Sequence, residues 1–198
     1  MSLLETQIGP ANEWVLGKLG WPLPRERMAE TSMPREPTRC RIAMLTFDEP
    51  PRLWRAADDL FLNGIGACQL CLFGLPQVLA DSDPAQLQTP LALSEDFRQT
   101  FRCVIWRPSV IVRISEATTI EMKCGTRASD LFTPVAESVF EARWLKPDMR
   151  HSLANDVATG AVVLLVASNT AEQQALGARL LLRHGNRDLQ THEFSQPH

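Results

Sequence analysis

Two stretches of the chain carry the same succession of apolar and polar positions. Arg41 to Phe47 (RIAMLTF) is a short apolar run followed by Asp48-Glu49-Pro50-Pro51, an acidic cap with proline at the first helical positions. That order predicts a strand and then a helix. Leu53, Ala57, Leu60 and Phe61 share one face of this helix, Asn63-Gly64-Ile65-Gly66 ends it, and Ala67 to Phe73 (ACQLCLF) returns as a strand. Near the C-terminus Val162 to Ala167 is a strand, and Ser168-Asn169-Thr170 with Glu172 and Gln173 is a capping-box start. Ala171 to His184 is then a helix, Gly185 its stop, and Asp188 to Phe194 a strand.

The two units superpose without a gap at an offset of 121 (48 to 169), bringing Gly64 onto Gly185, Gln69 onto Gln190, Cys71 onto His192 and Phe73 onto Phe194. Two βαβ units in one small chain predict an α+β fold with a ferredoxin-like, split βαβ core. Residues 1–39 hold Pro10, Pro22, Pro24, Pro34 and Pro37 without a sustained period, and read as a proline-rich arm. Residues 40–198 read as one domain carrying a long mixed strand/helix insertion over 80–160. Within it Phe101-x-Cys103-x-Ile105, Val110-x-Val112-x-Ile114 and Ile120-x-Met122-x-Cys124 alternate at period two and predict strands. Leu131, Phe132, Val135, Val139, Phe140 and Trp144 recur at helical spacing, and a further helix is expected from Pro147 to Val157.

The strands at 42–47 and 162–166 are apolar on both faces, so both faces of a central sheet need cover. Two helices supply one side only. The other side therefore calls for the insertion, the arm or a second subunit, and the expectation is that the insertion packs across it with a homodimer completing the cover.

The chain has 198 residues, 44% of them apolar and 22% charged, with a net charge of −3. That balance lacks the basic surface that binds a phosphate backbone, and nucleic acid is not an expected partner. No secretory pattern opens the sequence, and its most apolar run, Ala161 to Ala167, is far shorter than the ~20 residues that span a bilayer. The five cysteines are odd in number and sit mostly in apolar stretches, as reduced thiols do. A cytoplasmic protein without membrane contact is expected.

Candidate chemistry is sparse. Cys68 and Cys71 have CxxC spacing, but on a strand they would face opposite sides, which opposes a disulfide or a shared metal. Cys71 and His192 correspond across the repeat and are the candidates for a metal. In a ferredoxin-like sheet they would lie on the two edge strands and could meet only across a subunit boundary. His184 falls in the last turn of a helix, where a positive charge suits the dipole. Gly64-Ile65-Gly66-Ala67 leads out of a helix into a strand, the reverse of a dinucleotide fingerprint. Asp58-Asp59 reads as an exposed helix face, and His151 and His198 have no neighbour at ligand spacing. No cofactor is predicted. The leading expectation is a non-enzymatic module that binds a partner or a small regulatory ligand. The alternative is an enzyme or cofactor-binding protein with an apolar pocket between sheet and insertion, lined by Phe73, Trp106, Met122, His192 and Phe194.

The run from Gly160 to Phe194 (GAVVLLVASNTAEQQALGARLLLRHGNRDLQTHEF) resembles the C-terminal βαβ of bacterial general-stress proteins of the heat-induced, glycine-zipper type. The first unit looks like their N-terminal half. The resemblance covers two stretches of roughly 35 residues, rests on structural motifs, and carries no catalytic residue. It implies a bacterial, stress-related accessory protein. Those relatives have a glycine-rich apolar segment between the halves, where this chain has a more polar, strand-forming insertion, so the segment on which a membrane association would rest is missing.

Overall fold

The computed structural model describes residues 39–104, 109–113, 119–124, 146–185 and 187–195. These belong to the compact unit spanning 37–198. Six strands, β1 (Arg39–Phe47), β2 (Leu70–Gly74), β3 (Ser109–Arg113), β4 (Thr119–Cys124), β5 (Val162–Ser168) and β6 (Gln190–Ser195), form one sheet in the order β3-β4-β2-β5-β1-β6. Every neighbouring pair is antiparallel. The described helices are α1 (Pro50–Leu62), α2 (Pro76–Asp81), α3 (Glu95–Val104), α4 (Pro147–Ala158) and α5 (Ala171–His184). The units β1-α1-β2 and β5-α5-β6 are interleaved, with β1 and β5 at the centre, and two strands of the insertion extend the sheet beyond β2.

Both faces of the central strands are buried, as their composition requires. Ala43, Leu45 and Phe47 of β1, with Leu72 of β2 and Leu164 and Val166 of β5, meet Leu53, Trp54, Ala57 and Leu60 of α1 and Leu180 and Leu181 of α5. The opposite face gathers Ile42, Met44, Cys71, Phe73, Ile120, Met122, Cys124, Val163 and Leu165, together with Leu153 and Val157 of α4. Each of these is at most 4% exposed within a single chain. The open face that called for a second subunit is thus closed by the chain itself, and that argument for a dimer falls away. The strand β4 shows the alternation its sequence predicts, with Ile120, Met122 and Cys124 inward.

Several expectations are corrected. Phe101 and Cys103 belong to α3, not to a strand. Ser94 Oγ accepts from the Phe97 amide, Glu95 and Asp96 favour the positive end of the helix, and Phe97 and Phe101 stand one turn apart on the same face. The period-two reading of Phe101-x-Cys103 competed with a capped helix and lost, and Ile105 lies outside the described residues. The segment from Ala67 begins with a 3₁₀ turn over Ala67–Gln69, closed by the Gly66 amide donating to Gln69 Oε1, so the strand starts only at Leu70. The helix expected between Leu131 and Trp144 lies outside the described residues. Asp48 makes no cap. Its carboxylate accepts two hydrogen bonds from Arg187, at 3.0 and 2.6 Å, and Arg187 also bridges to Asp156.

The two glycine stops differ. Gly64 adopts φ +85°, the left-handed conformation that ends α1. Gly185 has φ −98° and no such need. It is glycine because a Cβ there would overlap the Leu45 side chain, one of the buried residues of β1. Gly185→Ala is accordingly expected to cost about 1–3 kcal/mol through overpacking, read as a lower urea midpoint with an unchanged m-value. An unaltered midpoint would show that Leu45 moves aside freely.

Candidate functional site

The expected pocket between sheet and insertion is filled core where it is described. Phe73 and Met122 are register partners on β2 and β4, 2% and 0% exposed, and belong to one buried cluster. Trp106 and the Phe194 side chain lie outside the described residues. His192 sits on the edge strand β6 opposite Ile42, away from Phe73 and Met122. Of the described members of that lining, Phe73 and Met122 are brought together and His192 is not.

The Cys71–His192 reading fails for a related reason. Because β4 pairs with β2, β2 is an interior strand, and Cys71 is 0% exposed between β4 and β5. Three strand spacings separate it from His192, roughly 14 Å, and so deep a thiol reaches no subunit boundary. Among the described residues no group of three or more His, Cys, Asp or Glu side chains converges as a metal site. The CxxC pair is also divided, with Cys68 exposed on the 3₁₀ turn and Cys71 buried on the strand. Asp59, which the sequence placed on an exposed face, meets His184 Nε2 at 2.9 Å, so the last turn of α5 is tied to α1.

A cavity of about 390 Å³ lies elsewhere, between α3 and the segment that precedes it. Leu91, Leu93, Phe97 and Phe101 give it an apolar floor, each at most 8% exposed. Asp83, Pro84, Ala85, Pro90 and Arg98 form the rim. Asp83 folds its own turn, Oδ1 accepting from the Ala85 amide and its carbonyl accepting from Gln86 and Leu87. Arg98 donates through Nη2 to the Leu91 carbonyl at 2.9 Å while Nη1 stands 4.0 Å from Glu95. Its side chain remains 47% exposed, so guanidinium charge is presented at the mouth.

Two side chains one turn apart on α1 fix this wall at both ends. Trp54, fully buried, donates from Nε1 to the Ser82 carbonyl at 2.6 Å. Asp58, 9% exposed, accepts from Ser94 Oγ at 2.6 Å and from the Ser94 amide at 3.2 and 3.3 Å. The indole also meets Phe101 edge-on at 4.5 Å between centroids and Phe97 at 6.5 Å, which locks the floor of the cavity to α1. Asp58 is therefore a buried acceptor at the start of α3, where the sequence suggested a solvated acid. The spacing of Trp54 and Asp58 and the Ser94-Glu95-Asp96 start of α3 are the signals that could have pointed to this place. Nothing in the segment 83–93 itself does so.

Removing the acceptor with Asp58→Ala is expected to lower stability by about 1–3 kcal/mol, since Ser94 loses its partner, and Asp58→Asn by less. Equal urea midpoints for wild type and Asp58→Ala would contradict the clamp. A second expectation concerns pH. Burial holds the His192 imidazole below its ordinary 6.5, so between the native value and 6.5 the unfolded chain binds more protons and stability rises with pH. Stability should fall as pH is lowered from 6.5, and His192→Gln should flatten that part of the profile. A profile unchanged by the substitution would contradict this.

The chain matches no protein-family model, and comparison with curated proteins and with solved structures likewise finds no match.

Proposed function

We propose that this protein is a binding module for a small, mainly apolar ligand carrying an anionic group, received in the cavity between α3 and residues 83–93. The observation that supports this reading is the combination of an apolar floor with a guanidinium at the mouth, in a volume typical of small-molecule sites. Phe97, Phe101, Leu91 and Leu93 would take the ligand body, and Arg98 its charged end. The clamp from Trp54 and Asp58 favours a preformed site, which lowers the ordering cost of binding.

A surface for a protein partner has less behind it, because the strongly exposed large apolar side chains among the described residues are Leu62 and Leu182. The interleaved strands β2-β5-β1-β6 with α1 and α5 support a ferredoxin-like core as the scaffold, and the likeness of residues 160–194 to general-stress proteins supports a stress-related accessory role. No helix among the described residues is long and apolar enough to cross a membrane.

Anilinonaphthalene sulfonate, an apolar anion, is a suitable probe. The native protein is expected to bind one equivalent at micromolar concentration, Arg98→Gln to weaken binding roughly three- to tenfold, and Ala85→Trp, which plugs the exposed rim, to abolish it. Fluorescence enhancement that is the same for wild type and Ala85→Trp would overturn the assignment.

A further inference from the structure

Cys71 has a thiol partner, and it is not Cys68. In the β2–β4 ladder Cys71 stands directly opposite Cys124, and both are 0% exposed on the face covered by α4. Directly opposed residues in an antiparallel pair have Cα atoms about 4.5 or 5.5 Å apart, depending on the type of pair. Both values fall within the roughly 4.4–6.8 Å that a disulfide spans. Opposed in register on the same buried face, the two thiols are neighbours, and the Leu72 carbonyl that Cys71 Sγ donates to lies at a distant 3.9 Å. Both are free thiols in this structure. Among the described residues the other buried cysteine, Cys40, lies on β1, two strands from Cys71, and so outside bonding range.

We propose that Cys71 and Cys124 form a peroxide-oxidisable dithiol whose disulfide fastens β4 to β2. Donation from Cys71 lowers the pKa of Cys124 and outweighs its burial, whereas burial first, and then Cys124, raises Cys71. In the proposed sequence Cys124 is the attacking sulfur and Cys71 the resolving one. Cys124 gives up its proton and attacks one oxygen of hydrogen peroxide. The O–O bond breaks, Cys124 becomes a sulfenic acid, and the departing hydroxide takes that proton to leave as water. The Cys71 sulfur then attacks the sulfenic sulfur, the S–O bond breaks, and the hydroxide released takes the Cys71 proton as a second water. Two thiols are oxidised to a disulfide and one peroxide is reduced to two waters. Full burial limits the oxidant to a molecule little larger than water, which is why a peroxide is named and not a bulky disulfide.

The bond would close the chain between residues 71 and 124, a loop that contains the whole cavity lining from Asp83 to Phe101. The proposal is independent of the ligand reading, since it concerns the opposite face of the sheet.

The test uses the full chain with the exposed Cys68 changed to Ser, which removes the nearby competitor. After treatment with hydrogen peroxide and alkylation of the remaining thiols in denaturant, peptide mass mapping is expected to find Cys71 linked to Cys124, with the link lost on reduction. The oxidised protein should melt roughly 10 °C higher than the reduced one, as closing a loop of this length implies. Cys124→Ala should abolish both changes. Native protein that keeps Cys71 and Cys124 alkylatable after peroxide treatment, or that carries them to sulfinic acid without linking them, would overturn the proposal.

Discussion

The cavity depends on one arrangement, the hold that a single turn of α1 has on both ends of the segment from Ser82 to Ser94. Trp54 ties down one end through its indole N–H, and Asp58 ties down the other through its carboxylate. Both groups are buried, so their polar atoms make these bonds in a medium where leaving them unmade is costly. A segment of this length between two helices would otherwise be expected to move as a loop. Held at both ends, with Phe97 and Phe101 packed against Trp54, it becomes a wall.

That hold is available because α1 is itself immobilised by the sheet. The central strands β1 and β5 are apolar on both faces, and burying both divides the molecule into two cores. One core takes α1 and α5, and α1 has a further side left over on which α3 and the cavity are built. The other core takes the added strand β4 and α4, and contains the cysteine pair. The cross-ties Arg187–Asp48 and His184–Asp59 join the two βαβ units, and Arg187–Asp156 ties the second unit to α4. They are partly exposed, and their contribution is geometric more than energetic.

The sequence was most legible where hydrophobic period and capping agree. The boundaries of α5 and the inward face of β4 follow directly from Thr170 with Gln173 and from Ile120-x-Met122-x-Cys124. It misled where two periods fit the same letters, as at Phe101-x-Cys103, and where a polar residue serves another element. Asp48 and Asp58 look alike in sequence, yet one meets Arg187 across 139 positions and the other receives Ser94 from 36 positions away. The cavity and the Cys71–Cys124 pair share that non-local character. Pairing β2 with β4 requires knowing that the insertion continues the sheet, and periodicity within a strand says nothing about its neighbour.

The measurement that bears most directly on the clamp is amide hydrogen exchange across residues 82–101 compared with α1. A wall fixed by Trp54 and Asp58 opens only when α1 does, so the amides of Leu93 to Phe101 should be protected nearly as long as those of Leu53 to Leu60. Complete exchange of 83–101 while α1 remains protected would mean that the segment moves independently, and that the cavity is a passing shape of a loose loop.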